Sequence, residues 1–146
     1  MVQILLLEDE FDEAVLFQEF LREAGHEVQL CTNADDALTY LKAARYDLVI
    51  TDLFVRQKKV LTHDGGLRVI GTLRLAWKRD PFATPHDTPI IAVTGASYGA
   101  DRDFFLDQAR TLGANVTLHK PVMATELHAA IARLMGPEAL DRIEEV

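Results

Sequence analysis

Short apolar runs alternate along the chain with segments whose apolar residues recur at helical spacing, and this alternation repeats five times. The apolar runs lie at residues 2–7, 28–30, 47–53, 90–93 and 115–118, and they predict strands. The periodic segments, at about 16–24, 37–44, 65–77, 100–112 and 125–134, predict helices. Five strand–helix units with apolar strands favour an α/β fold, a single-domain doubly wound parallel sheet with helices on both faces.

Local signals mark some helix ends and two long connections. Gly25 is a candidate C-cap for the first helix, and Asn33 or Asp35 is a candidate N-cap for the second. The stretch at about 55–65 is polar and basic with no clear period, and 78–88 contains two prolines, so both are predicted to be extended, irregular loops. The basic residues of the first loop are either solvated or steer an acidic partner.

Composition narrows the function classes. The chain has 146 residues and 49% apolar content, which suit one compact domain. Its net charge of −8 argues against direct nucleic-acid binding. Cys31 is the single cysteine, which excludes an intrachain disulfide. The apolar runs are far shorter than the roughly 20 residues that span a bilayer, and acids follow the first run, so we expect a cytoplasmic protein with no membrane contact.

Polar side chains follow the predicted strands at the edge where such sheets bind ligands. Ligands of open parallel sheets bind beyond the carboxyl ends of the strands. The residues at those ends are Glu8, Asp9, Asp52, Thr94 and Lys120. Carboxylates about 4 Å apart repel one another by several kcal/mol at intermediate dielectric, and a divalent cation relieves this repulsion. Oxygen ligands of this kind favour Mg²⁺ over zinc.

These residues belong to a set of motifs that occur in order along the chain. The motifs are Glu8-Asp9, Asp52 at the end of the third strand, Thr94-Gly95-Ala96, Gly113-Ala114 and Lys120-Pro121. In this set the chain resembles the receiver domain of two-component response regulators, the CheY-like, flavodoxin-like fold, over residues 2–134. The resemblance implies the strand order 2-1-3-4-5. It also implies a receiver domain at 1–136, followed by a short acidic tail at 137–146.

The resemblance implies a phosphorelay function centred on one carboxylate. Asp52 would accept a phosphoryl group from a phosphohistidine of a sensor histidine kinase or a histidine phosphotransfer protein. Mg²⁺, with Mn²⁺ as an alternative, would be held by Asp9, Asp52 and the backbone carbonyl of Phe54, with Glu8 acting through a water. The cation would cancel repulsion between the carboxylate and the phosphoryl group.

Two further residues complete the site that the resemblance implies. Lys120 would hold a phosphoryl oxygen as a mobile point charge. Thr94 would donate its hydroxyl to another phosphoryl oxygen, and Pro121 would follow a cis peptide bond. Phosphorylation would switch protein–protein contacts, and a homodimer through helix 4, strand 5 and helix 5 is one form that the family takes. The chain would be no enzyme toward outside substrates, with only self-phosphorylation from a phosphodonor and autodephosphorylation.

Departures from the family pattern leave alternatives open. Thr117 stands where the family usually has an aromatic switch residue, so a receiver-like binding module that works without phosphorylation is the main alternative. An aspartyl-phosphate hydrolase is less favoured, because Phe54 stands where that class needs a second acid. The chain is interpreted as a stand-alone receiver or as the N-terminal part of a longer protein. The sequence names neither the kinase nor the output partner.

Overall fold

The structure, a computed structural model, describes residues 2–53, 55–57, 60–62, 65–75, 78–79, 81–95 and 102–136. Its strands are β1 (Gln3–Leu7), β2 (Glu27–Cys31), β3 (Leu48–Asp52), β4 (Val55–Gln57), β5 (Val60–Thr62), β6 (Ile90–Thr94) and β7 (Val116–His119). Its helices are α1 (Phe11–Glu23), α2 (Ala34–Ala43), α3 (Gly66–Leu75), α4 (Arg102–Leu112) and α5 (Ala124–Met135). The predicted tail at 137–146 lies outside the described residues, so the domain boundary stays a prediction. None of the described helices has the length and apolarity needed to cross a bilayer.

The main sheet has five parallel strands in the order β2-β1-β3-β6-β7. Counted along the chain without the small hairpin, this is the predicted order 2-1-3-4-5, and the predicted fold class is confirmed. Side chains alternate between two apolar layers because successive residues of a strand point to opposite faces. Leu5 and Leu7 pack with residues of α2 and α3, whereas Ile4 and Leu6 pack with residues of α1 and α5. β3 and β6 are buried throughout, as expected of strands covered on both faces.

The helix ends follow local side-chain signals. The Asn33 side chain caps α2 by accepting a hydrogen bond from the Asp36 backbone N–H at 2.8 Å, so the first of the two predicted caps is used. Gly25, just after α1, adopts φ of 88°, a conformation that favours glycine. α1 begins at Phe11, earlier than predicted. Its first turn was missed because Phe11 is 76% exposed and acids follow it, so no apolar period marks that turn.

The first long connection differs from the prediction. Instead of an irregular loop, β4 and β5 form an antiparallel hairpin in which Val55 pairs with Thr62 and Gln57 with Val60. The Gly66 backbone N–H donates to the Leu53 carbonyl at 3.1 Å, which closes the base of this excursion. Strands of three residues are too short to show a clear alternation in the sequence. The hairpin therefore emerges directly beside the end of β3.

The second long connection contains no helix or strand in its described part, 78–79 and 81–88, as predicted. It is fastened to the end of α2 and the start of β3 by Thr84. The Thr84 hydroxyl donates to the Ala44 carbonyl at 2.7 Å and accepts from the Tyr46 backbone N–H at 3.0 Å. These contacts lie at the amino end of β3, so this loop is remote from the carboxyl edge of the sheet.

A buried histidine next to β1 should make stability fall on acidification. His26 is 4% exposed, its Nδ1 accepts from the Val2 backbone N–H at 3.3 Å, and its Nε2 has no partner among the described residues. Burial lowers the pKa of His26, and the nearby charge of His128 lowers it further. Below a pH of about 6.5 the unfolded chain therefore gains a proton that the folded chain resists, and the free energy of unfolding falls.

The substitution His26→Gln keeps an acceptor for Val2 but removes the titration. We expect urea unfolding to show a smaller stability loss between pH 7.5 and pH 5.5, values chosen to bracket about 6.5, in His26→Gln than in the wild type. Equal losses in the two proteins would show that His26 does not contribute.

Candidate functional site

The carboxyl ends of four parallel strands bring the polar residues of the candidate site together. Leu7 of β1 pairs with Thr51 of β3, Asp52 with Val93 of β6, and Thr94 with His119 of β7. The registers therefore align the strand ends at one edge. The side chains expected there from the sequence follow those ends: Glu8, Asp9, Asp52, Thr94 and Lys120.

The centre of the site is the Lys120 ammonium, which contacts three carboxylates. Its Nζ donates to Glu8 Oε1 at 2.5 Å and to Asp52 Oδ2 at 2.9 Å, and also to Glu13 Oε2. An ammonium group has three protons, so these carboxylates use its whole donor capacity. The predicted proximity of Asp52 and Lys120 is thus present in the structure.

The three acids differ in their exposure to water. The Glu8 and Asp52 side chains are 1% and 6% exposed, whereas that of Glu13 is 40% exposed. Burial raises the pKa of Glu8 to about 9, the charge of Asp52 adds to this, and Lys120 offsets only part of it. Burial alone would also raise the pKa of Glu13, but hydrogen bonds, first that from Lys120, hold it below its ordinary value. Burial opposes the charged form of Lys120, yet Asp52 and Glu8 raise its pKa above the ordinary value.

The backbone around Asp52 and Lys120 is tightly packed. A Cβ atom added to Gly66 would lie 2.0 Å from the Asp52 carbonyl oxygen and 2.8 Å from Thr51 Oγ1. The start of α3 therefore rests directly on the Asp52 backbone, where only a hydrogen fits. On the other side, the Lys120 N–H donates to the Thr94 carbonyl at 2.8 Å. The Lys120–Pro121 bond is cis, as the resemblance implied.

The Thr94 hydroxyl has no partner among the residues that the structure describes. The residue is fully buried, and its Oγ1 has no hydrogen-bond partner within the part of the chain that the structure describes. Buried hydroxyls are almost always hydrogen-bonded, so an unpaired one at a strand end indicates a place for a ligand atom. The phosphoryl-binding role of Thr94 stays a prediction.

The structure adds one acid to the predicted set. Glu13 was missed because α1 was expected to begin at residue 16, whereas Glu13 lies in the first turn of the actual helix. A helix start at Glu10, signalled by three acids after the first strand, could have placed it beside Glu8. Asp9 is half-buried at the same strand end but is not one of the three carboxylates that meet at Lys120. Phe54, predicted to offer its carbonyl, lies outside the described residues.

The donor set fits a hard divalent cation. One carboxylate oxygen from each of Glu8, Glu13 and Asp52 lies within 4.8 Å of the others. Such oxygen-only ligands suit Mg²⁺. Of the residues predicted as ligands, Asp52 and Glu8 are in this group, and Asp9 as a ligand stays a prediction.

The position of the missing aromatic residue holds a polar contact. Thr117 Oγ1, on β7, accepts a hydrogen bond from Arg110 Nη2 of α4 at 2.7 Å. Arg110 also pairs with Asp107 at 3.2 Å. The Thr117 side chain on β7 therefore contacts α4 through one hydrogen bond rather than through a buried ring.

Comparisons with known proteins agree with this arrangement. The sequence model of the response regulator receiver domain matches residues 4–132. The transcriptional regulatory protein DltR of Streptococcus agalactiae serotype III (strain NEM316) is 33% identical over 145 residues, which cover 99% of this chain and 57% of DltR. The chain thus spans just over half the length of this curated relative.

Among the solved structures that share the fold are a receiver domain and a chemotaxis protein. One is the receiver domain of sensor histidine kinase PA1611 from Pseudomonas aeruginosa PAO1, with a magnesium ion coordinated in its active site cleft. It superposes with a TM-score of 0.72 at 24% identity, over 92% of this chain and 98% of that one. The chemotaxis protein CheY4 of Vibrio cholerae superposes with a TM-score of 0.70 at 20% identity, over 92% of this chain and 99% of that one.

Proposed function

We propose that this chain, which belongs to the response regulator receiver domain family, carries its transferable phosphoryl group on Asp52. The donor would be a phosphohistidine of a sensor histidine kinase or a histidine phosphotransfer protein. One observation carries the assignment: the Asp52 carboxylate is buried at the carboxyl edge of the sheet, 2.9 Å from the Lys120 ammonium. A carboxylate held there beside a mobile cation is suited to receive an anionic group.

The chemistry asked of Asp52 is a nucleophilic displacement. A carboxylate oxygen attacks the phosphorus, the phosphorus–nitrogen bond of the donor breaks, and the donor imidazole takes up a proton from solvent. Mg²⁺, or Mn²⁺ in its place, held by Asp52, Asp9, the Phe54 carbonyl and Glu8 through a water, would supply neutralising charge. Glu13 is a further candidate ligand, because its carboxylate lies with those of Glu8 and Asp52.

Lys120 and Thr94 would bind the transferred group. Lys120 would exchange one of its carboxylate partners for a phosphoryl oxygen, which keeps its ammonium fully bonded. Thr94, whose hydroxyl has no partner among the described residues, would donate to a second oxygen. The reactions of the domain itself are then self-phosphorylation and autodephosphorylation, and their result is a change in protein contacts.

The proteins that would bind the phosphorylated domain are proposed only as a class, protein partners. The chain spans just over half of DltR, and the proposed function concerns the receiver domain. A homodimer through α4, β7 and α5 stays a prediction. The second candidate function, a binding module that works without phosphorylation, is favoured by the Arg110–Thr117 hydrogen bond at the position of the usual aromatic switch.

Asp52→Asn should abolish phosphorylation. Incubation with acetyl phosphate and Mg²⁺, read by intact mass, should add one phosphoryl group to the wild type and none to Asp52→Asn, because an amide oxygen is a poor nucleophile. Asp87→Asn, which alters an exposed aspartate of the 78–88 loop, is the matched control and should be modified like the wild type. A wild type that gains no phosphoryl group would favour the binding module instead.

A further inference from the structure

The ammonium of Lys120 has no spare donor in the unphosphorylated protein. Its three protons go to Glu8, Glu13 and Asp52. If Lys120 is to bind a phosphoryl oxygen on Asp52, as the proposed function requires, one of these hydrogen bonds must break. The structure therefore poses a choice between three acceptors.

Exposure to water decides which of the two glutamates gives up Lys120 more easily. Losing the ammonium leaves an acid without a hydrogen-bond donor, and this costs most where water cannot replace the lost bond. Glu8 and Asp52 are 1% and 6% exposed, but Glu13 is 40% exposed. Glu13 and Lys120 also line a small cavity of about 70 Å³ beside α1, so the Glu13 side chain is not closely packed on every side.

We propose that Glu13 is a positioning residue, which holds Lys120 against α1 in the unphosphorylated protein and releases it when the phosphoryl group arrives. This inference rests on the proposed function of Asp52. Glu13 belongs to a helix, whereas Glu8 and Asp52 lie at the ends of central strands. Because the hydrogen bond between Glu13 and Lys120 would be present only before phosphorylation, it stabilises the unphosphorylated protein relative to the phosphorylated one.

The substitution Glu13→Gln tests this role because it removes the charge while keeping the size of the side chain. Beryllofluoride, which binds a carboxylate oxygen as a stable phosphoryl mimic, is titrated at saturating Mg²⁺ and followed by amide NMR shifts. We expect Glu13→Gln to bind it about three- to fivefold more tightly than the wild type, the size expected for one partly exposed ion pair. Glu19→Gln, an exposed position on the same helix, is the matched control and should bind like the wild type.

The action of Glu13 through Lys120 has its own test. In a Lys120→Met background, Glu13→Gln should change beryllofluoride affinity by less than about twofold, since the group that Glu13 holds is gone. As a measurement that needs no ligand, the Lys120 ammonium cross-peak should be visible by NMR in the metal-free wild type and weaken in Glu13→Gln, where its protons exchange faster.

Each outcome decides the matter. An unchanged or weaker affinity in Glu13→Gln, an equal gain in the Lys120→Met background, or an unweakened ammonium peak overturns the positioning role while leaving Asp52 as phosphoacceptor. A wild type that binds no beryllofluoride overturns the proposed function, and this inference with it. The gain in affinity confined to proteins that contain Lys120 supports the proposal.

Discussion

Gly66→Ala should lower the free energy of unfolding by about 3 kcal/mol or more and greatly slow phosphorylation of Asp52. The added Cβ would lie 2.0 Å from the Asp52 carbonyl oxygen, a distance that backbone atoms cannot tolerate. Either α3 or the end of β3 must move. Because Gly66 also donates its N–H to the Leu53 carbonyl, that movement would displace the backbone on both sides of the phosphoacceptor. Urea unfolding and the rate of phosphorylation by acetyl phosphate measure the two effects.

Gly71→Ala is the matched control for this prediction, because Gly71 lies in the same helix. Among the described residues, its added Cβ would meet only Leu112 Cδ2, at 3.9 Å, an ordinary contact. Removing glycine from a helix interior should raise stability by about 0.5–1 kcal/mol. A Gly66→Ala protein as stable as the wild type would contradict the close approach of α3 to Asp52.

Lys120→Met should also have a large effect. At neutral pH and without metal, it should lower the free energy of unfolding by about 3 kcal/mol. The substitution leaves Glu8 and Asp52, which are 1% and 6% exposed, without their shared cation. Lowering the pH reduces the negative charge left on this buried acidic pair, so the stability of Lys120→Met should recover relative to the wild type. Saturating Mg²⁺ should also reduce the loss, whereas phosphorylation should stay slow because the phosphoryl group lacks its ammonium partner.

The control Lys42→Met removes the same charge from an exposed position on α2, where the ammonium lies 5.5 Å from the centre of the Phe82 ring. Lys42→Met should lower the free energy of unfolding by less than about 1 kcal/mol. If Lys120→Met is no more costly than Lys42→Met, the ammonium does not hold the acidic site together.

The sequence predicted the strand-end residues because parallel strands place their carboxyl ends at one edge of a sheet. The sequence was enough to find Asp52, Thr94 and Lys120, since each lies within two residues of the end of an apolar run. Glu13 could not be placed in the same way. The first turn of α1 carries exposed and acidic residues, so its helical period is invisible and its direction relative to Lys120 depends on how α1 packs.

The hairpin after Asp52 could not be predicted from the sequence for a different reason. Each of its strands has three residues, fewer than an alternating pattern requires, and its closure depends on the contact between Gly66 and Leu53, which are far apart in sequence. Long-range contacts of this kind leave no local signal. The hydrogen bond from Arg110 to Thr117 is a second example, because it joins a helix and a strand whose relative position only the packed fold defines.

The most direct measurement of the central claim is the location of the phosphoryl group. After phosphorylation with acetyl phosphate and Mg²⁺, reduction with borohydride converts an aspartyl phosphate to homoserine, and peptide mass spectrometry locates the new residue. The buried carboxylate beside Lys120 predicts homoserine at position 52 alone. Homoserine elsewhere, or none in a protein that has gained a phosphoryl group, would contradict the assignment of Asp52.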